Sequence, residues 1–249
     1  GVDQDSTIAF ERYQKAAEQG DAQAQTNLGV MYQLGQVVDQ DSKTAFKWYQ
    51  KAANQGFAQA QTNLGVMYQE GKCVAQNFNT ARYWYELAAK QGHAHAQNNL
   101  GVLYQEGQGV DQNFTIACYW YELAANQGHA HAQNNLGLMY QNGQGVEQNS
   151  TTAFEWYQKA AAQDDANAQN NLGLMYQNGQ GVAQDSKTAF EWFEQAAKQG
   201  HADAQYKLGV MYQDTALYWY QQAAAQGLDV AIKVSNDLAQ YTTKPSKLN

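Results

Sequence analysis

An all-α solenoid of 36-residue helix-turn-helix repeats is the fold this sequence predicts, and three observations carry the prediction. Leu-Gly pairs fall at Leu28-Gly29, Leu64-Gly65, Leu100-Gly101, Leu136-Gly137, Leu172-Gly173 and Leu208-Gly209, 36 residues apart each time. Tyr follows the Leu at +4 in all six copies (Tyr32, Tyr68, Tyr104, Tyr140, Tyr176, Tyr212), and Trp at +20 in the first five (Trp48, Trp84, Trp120, Trp156, Trp192). The first five copies also carry helix punctuation: Gly where one helix must stop, then Asp or Asn where the next must start. One such unit cannot bury its apolar face alone, so a fixed period of this size means stacked neighbours sharing a continuous core.

The elements follow in order. Residues 1–20 are expected to hold a leading helix of the second type near 6–19, acting as an N-terminal cap; its Arg12 stands where the repeats have Trp, which suits a helix with one face open to water. Six repeats come next, at 21–56, 57–92, 93–128, 129–164, 165–200 and a shortened 201–227. A closing helix near 229–241 lies in a C-terminal cap and tail, 228–249, which makes fourteen helices.

Within a repeat the third copy serves as the pattern. AHAQNNLGVLYQEG (94–107) places Ala94, Gln97, Leu100, Gly101 and Tyr104 at helical spacing and stops at Gly107; this is helix A. A short loop, QGVDQ, leads to Asn113, whose equivalents are Asp5, Asp41, Asn77, Asn149 and Asp185. These side chains accept hydrogen bonds from the unpaired amides of a first helical turn. Helix B then runs as TIACYWYELAANQ to Gly128, with Ala117, Trp120, Tyr121, Ala124 and Ala125 on its inner stripe.

Composition excludes several alternatives. The 249 residues contain 38 Gln, 19 Asn and a single Pro, an amide richness that elsewhere signals low-complexity disorder. Here 17 Tyr, 6 Trp and 8 Phe recur in register with small residues, which a disordered tract does not do. The net charge of −8 disfavours nucleic acid and anionic lipid as partners. No run approaches the length of a membrane-spanning helix, and the start, GVDQDSTIAFERYQKAA, lacks the basic and apolar regions of a signal peptide.

The pattern A-x-A-Q-x-x-L-G-x-M-Y-x-x-G-x-G-V, then D/N-x-x-x-A-x-x-W-Y-x-x-A-A-x-Q-G, resembles the Sel-one-like repeat (SLR) family, relatives of tetratricopeptide arrays. AQNNLGLMYQNGQGVAQDSKTAFEWFEQAAKQG (168–200) meets nearly every signature position, and the resemblance covers residues 5–227. It implies a right-handed superhelix whose A helices line a concave groove used as a scaffold for other proteins. The amide-rich, nearly identical repeats point to the bacterial branch, whose members are often exported; a periplasmic or secreted location is expected, with a cytoplasmic one left open. The sixth repeat departs from the pattern, because Trp219 follows Trp192 by only 27 residues. Either its helices fuse or turn tightly near Asp214, or nine loop residues of the natural chain are absent from the sequence.

By analogy with tetratricopeptide geometry, the second, fifth, sixth, ninth and twelfth positions of helix A face the groove. The second gives Gln23, Gln59, His95, His131, Asn167 and Asp203. The fifth gives Thr26, Thr62, Asn98, Asn134, Asn170 and Tyr206. The sixth gives Asn27, Asn63, Asn99, Asn135, Asn171 and Lys207, and the twelfth is always Gln, as in Gln105, Gln141 and Gln177. The groove is therefore expected to be neutral and amide-lined, suited to gripping the backbone of an extended peptide, since each primary amide offers two donors and an acceptor. The sixth-position Asn resembles the peptide-gripping Asn of chaperone-binding tetratricopeptide domains, but the cations that hold a terminal carboxylate there are almost wholly missing here. The competing reading of the ladder is internal, with the Asn side chains bonding neighbouring helices and loops. A second contact site is conceivable on the convex face, where Tyr83 and Tyr119 follow one another in consecutive B helices beside Arg82.

Enzymatic constellations are missing: there is no G-x-S-x-G, H-E-x-x-H or phosphate-cradling loop. His93 with His95, and His129 with His131, are i, i+2 pairs that do not share a helix face, so capping or simple polar use is expected and no metal. Cys73 in a loop and Cys118 in a helix read as unpaired thiols, which separates the chain from SLR proteins with a disulfide in each repeat that have been linked to penicillin binding and β-lactamase activity. The sequons at Asn113 and Asn149 coincide with helix caps and are read as chance. The expectation is a monomeric, cofactor-free, non-enzymatic scaffold for a protein or peptide, with no nucleic acid and no membrane insertion. A hidden hydrolase and a spacer that binds nothing are the alternatives.

Overall fold

The computed structural model describes residues 4–211 and 216–242. Among them are fourteen helices and no strand: α1 (Gln4–Glu18), α2 (Ala22–Leu34), α3 (Ser42–Asn54), α4 (Ala58–Glu70), α5 (Phe78–Lys90), α6 (Ala94–Glu106), α7 (Phe114–Asn126), α8 (Ala130–Asn142), α9 (Ser150–Ala161), α10 (Ala166–Asn178), α11 (Ser186–Lys198), α12 (Ala202–Met211), α13 (Ala216–Ala225) and α14 (Asp229–Thr242). Even-numbered helices are the A type and odd-numbered the B type. The chain divides into two compact units, Gly1–His129 with α1 to α7 and Ala130–Asn249 with α8 to α14. Each is a stack of helix pairs in which consecutive helices pack on one another. The all-α repeat array read from the sequence is the observed architecture.

Local chemistry sets the boundaries. Helix A ends on a Gly in the left-handed region, such as Gly107 at φ 69°, whose N–H returns to the Leu103 carbonyl; a side chain there would be strained. The loop is then closed twice, by Asn113 N–H donating to the Tyr104 carbonyl at 2.8 Å and by the Gln112 side-chain amide donating to the Gln105 carbonyl at 2.8 Å. Asn113 Oδ1 caps α7 by accepting from Ile116 N at 3.0 Å. Where the cap is Asp41 or Asp185, the Thr three residues on donates its hydroxyl as well, and these bonds hold the carboxyl below its ordinary pKa. The expected cap Asp5 lies inside the first turn of α1 instead.

Packing between the two helices of a pair explains the Leu-Gly signature. Tyr49 of α3 lies against Gly29 of α2 so closely that a Cβ on Gly29 would sit 2.5 Å from the ring. The same contact joins Gly101 to Tyr121, Gly137 to Tyr157, Gly173 to Phe193 and Gly209 to Tyr220. Around each ring gather Ala side chains of helix B and the Leu and Met of the following helix A, as with Ala45, Ala52, Leu64 and Met67 around Tyr49. Burying such a ring contributes about 1.5–3 kcal/mol.

A second clamp is polar. The Gln of the A-Q signature is buried, and its amide nitrogen reaches back to a carbonyl at the end of the preceding helix B: Gln61 to Ala53 at 3.2 Å, Gln97 to Ala89 at 3.2 Å and Gln205 to Ala197 at 3.2 Å. That gives a helix-terminal carbonyl a second bond beside the one it accepts from the Gly N–H of the turn, as with Gly56 to Ala53 at 2.9 Å. Its own oxygen accepts from a Gln at the end of the next helix B, Gln91 to Gln61 at 2.8 Å for example.

The shortened sixth repeat keeps both contacts. Gln226 donates to Gln205 at 2.8 Å across 21 residues where the other repeats use 30, and α12 packs against α13 as two separate helices. A turn near Asp214, or a missing loop, would fall in residues 212–215, outside the described residues.

Candidate functional site

The A-helix rows are best taken one register at a time, within each unit. The fifth position does not face an open groove as expected: Asn98, Asn134 and Asn170 are 8%, 9% and 7% exposed. In a stack with this period that position points at the neighbouring helix A. Thr62 Oγ1 meets His93 Nδ1 at 2.9 Å and Asn171 donates to Asn134 Oδ1 at 3.0 Å. Asn98 donates to Asn99 at a long 3.4 Å, and Asn170 Oδ1 is buried with no partner.

The sixth position is half-buried. Asn63 accepts from Gln59 at 3.0 Å and also bonds the Tyr49 hydroxyl; Asn99 does the same for Tyr85. Asn135 is likewise engaged, and Asn171 donates to Asn134. The twelfth position completes a rung. Tyr85 donates its hydroxyl to Gln69 Oε1 at 2.7 Å, Tyr121 to Gln105 at 2.6 Å and Tyr157 to Gln141 at 2.6 Å. Desolvation raises the pKa of these phenols and keeps them as donors. Gln177 differs, because its helix faces Phe193, which has no hydroxyl to give.

His93, His95, His129 and His131 bridge repeats, whereas His201 caps α12 by accepting from Ala204 N at 3.3 Å. His93 makes no cap bond and instead contacts Thr62 and, at 3.2 Å, Gln59. Burial, then the neighbouring His95, lowers its pKa. His95 Nδ1 lies 3.1 Å from His129 Nε2. His131 Nδ1 lies 2.6 Å from Asp165 Oδ2, while Asp165 Oδ1 caps α10 through Ala168 N at 2.9 Å. Asp165 thus does more than alter its own cap, and Asp164 at φ 62° takes the left-handed place that Gly holds in sister repeats. Among the described residues no three His, Cys, Asp or Glu side chains gather to hold a metal ion.

On the B-helix side, Tyr83 and Tyr119 are each 55% exposed, propped edge-on against Trp84 and Trp120 with centroids 5.2 Å apart. Arg82 is turned to Glu86 at 3.2 Å, so it lies along α5 rather than reaching outward as a free cation. Cys73 is exposed in its loop and Cys118 buried, both free.

Paired 13-residue helices, locked by Gly–Tyr and Gln–Gln contacts and repeated as stacked units, define a tetratricopeptide-like α-solenoid. The particular kind is equally plain: the Sel1 repeat model matches residues 1–21, 22–57, 58–93, 94–129, 130–165, 166–201 and 202–228, and the chain belongs to the Sel1 repeat family. Its fold is typical of scaffolds for protein–protein interaction. No curated protein matches the chain.

Solved structures do. A protective antigen of uropathogenic Escherichia coli with an SLR fold is 35% identical at a TM-score of 0.76, covering 95% of this chain and 52% of its own. This chain therefore spans about half the length of that protein. A Sel1 repeat protein from Oxalobacter formigenes is 33% identical at a TM-score of 0.77, covering 82% and 86% respectively. A Sel1 repeat protein from Klebsiella pneumoniae, 24% identical at a TM-score of 0.56 and covering 80% and 97%, shares the fold. No described helix is long and apolar enough to cross a membrane.

Proposed function

We propose that each unit holds an extended segment of a partner protein along the A-helix face of its repeats, the first through Asn63 and Asn99 with His95 at a helix start, the second through Asn135, Asn171 and Gln177 with His131 at a helix start. The observation that carries this reading is the recurrence of half-buried amides at one register, 36 residues apart. A primary amide has two donors and an acceptor, and one or two bonds within the array leave capacity for a peptide backbone. Gln177 keeps the most, since no tyrosine hydroxyl occupies it. Asn98, Asn134 and Asn170 act beneath this surface, setting the spacing of the A helices. The ligand is a main-chain amide ladder rather than a charged terminus, in keeping with the scarcity of cations on these rows.

The test is affinity capture from the source organism, comparing wild type with an Asn99→Ala, Asn135→Ala, Asn171→Ala variant whose helicity is verified by circular dichroism. A partner retained by wild type and lost by the folded variant supports recognition on the amide rows. Equal retention by both moves the site to Tyr83 and Tyr119. Capture of nothing by either favours a spacer. A bacterial periplasmic or secreted setting is proposed for this interaction, which fractionation of the source cell checks.

A further inference from the structure

Three polar rungs join side chains 34 residues apart along the starts of the A helices. In the first unit these are Gln59 with His93 at 3.2 Å and His95 with His129 at 3.1 Å. In the second unit His131 meets Asp165 at 2.6 Å. Only one of these rungs sets imidazole against imidazole. An i, i+2 pair on one helix cannot share an ion, but the stacking of repeats turns His95 Nδ1 toward His129 Nε2. The other rungs are committed. Both ring nitrogens of His93 have oxygen partners, Thr62 Oγ1 at 2.9 Å and Gln59 Oε1, and Asp165 spends its second oxygen on Ala168 N at 2.9 Å. Between His95 and His129, by contrast, two bases of the same kind face each other, and without a proton between them their lone pairs repel. The ring centroids are 4.5 Å apart with planes at 90°, closer than a bond running straight from ring to ring allows, so the two ring axes meet at an angle. A metal ion bonding both nitrogens at about 2.1 Å holds them at roughly a right angle, that of adjacent ligands in an octahedral or square-planar shell. His93 packs on His95 with centroids 5.7 Å apart, which helps to fix that ring.

We infer that His95 Nδ1 and His129 Nε2 form a two-histidine site for a divalent transition-metal ion of the copper(II) or nickel(II) kind, with water completing the shell. Imidazole suits these ions, and the net charge of −8 favours a cation. On binding, the ring that donates in the free protein carries its proton on its other nitrogen instead. Both lone pairs then meet the ion, and no net proton is released. Two protein ligands make this a site of modest affinity, unlike a structural zinc centre with four. The ion ties side chains 34 residues apart and so stabilises the stack by mass action. The site shares His95 with the peptide face proposed above but needs no partner protein, so either reading can fail without the other.

The test uses the untagged full chain, stripped of metal with a chelator. It is titrated with nickel(II) chloride by calorimetry and with copper(II) chloride under electron paramagnetic resonance. Saturable uptake, a copper spectrum with nitrogen hyperfine structure from two imidazoles, and a rise in melting temperature with nickel are expected. In NMR, nickel should broaden the ring signals of His95 and His129 before those of His131 and His201, a readout that needs no variant. His95→Gln and His129→Gln, with helicity verified by circular dichroism, should each weaken nickel binding about tenfold or more, because the second ligand no longer adds as an intramolecular one. His131→Gln should bind nickel as wild type does. So should the Asn99, Asn135, Asn171 triple variant, which separates this site from the amide rows. Equal nickel binding by wild type and His95→Gln, first broadening at His131 or His201, or no binding at millimolar nickel would each overturn the assignment.

Discussion

The second and fifth repeats share a backbone plan and differ in one atom at its centre. In the second, Tyr85 packs on Gly65, donates to Gln69 and is touched by Asn99, so three consecutive helices meet at one hydroxyl. In the fifth, Phe193 packs on Gly173 equally closely and is fully buried, yet Gln177 receives nothing from it. The ring contact alone suffices to seat the helix pair. The hydroxyl adds a polar tie and, in doing so, occupies the Gln69 amide oxygen. Under the proposed function, stability and recognition compete for the same Gln side chains.

Breaking the shared contact should have the largest effect. Gly101→Val puts a branched side chain where even a Cβ lies 2.5 Å from Tyr121, and a loss of about 2–3 kcal/mol in chemical denaturation is expected. Removing only the hydroxyl is milder: Tyr85→Phe should cost about 1 kcal/mol. The reciprocal Phe193→Tyr should gain up to about 1 kcal/mol while weakening partner capture through Gln177, because it converts the fifth repeat into the second. A stabilised variant with undiminished capture would remove Gln177 from the binding row.

Acid should distinguish the repeats that carry buried imidazoles. Burial lowers the pKa of His93 and His201 below the ordinary 6.5, so the unfolded chain binds protons more readily than the native one. Their contribution is fully present above pH 6.5 and is lost as pH falls from there toward the depressed native values. The melting temperature should drop through that window, and His93→Gln should flatten the drop; an unchanged slope would assign the effect elsewhere. The smallest expected change is at Cys73, held at φ 58° where later repeats have Gly. Cys73→Gly should stabilise by about 0.5 kcal/mol, the relief of a left-handed side chain offset by the entropy of an unfolded Gly.

Much of this was legible in the chain. Period, helix boundaries, the capping Asn and Asp residues and the Leu-Gly and aromatic core follow from local rules that act over a few residues and repeat. The buried A-Q Gln was visible only as a recurrent letter: its two bonds span 8 and 30 residues and depend on where the preceding and following B helices end. The burial of the fifth-position Asn residues is not legible in the sequence, because a single helix looks the same whether its neighbour stands closer or farther off. His131 and Asp165 lie 34 residues apart, and no spacing rule joins them.

By itself, then, the sequence determined that this protein is a stack of paired helices, because periodic small and aromatic residues admit one kind of packing. Which amides that stack uses up and which it leaves facing water was decided only by tertiary structure. An amide's hydrogen bonds depend on atoms a repeat or more away, brought within 3 Å by the stacking of the neighbouring helix pair.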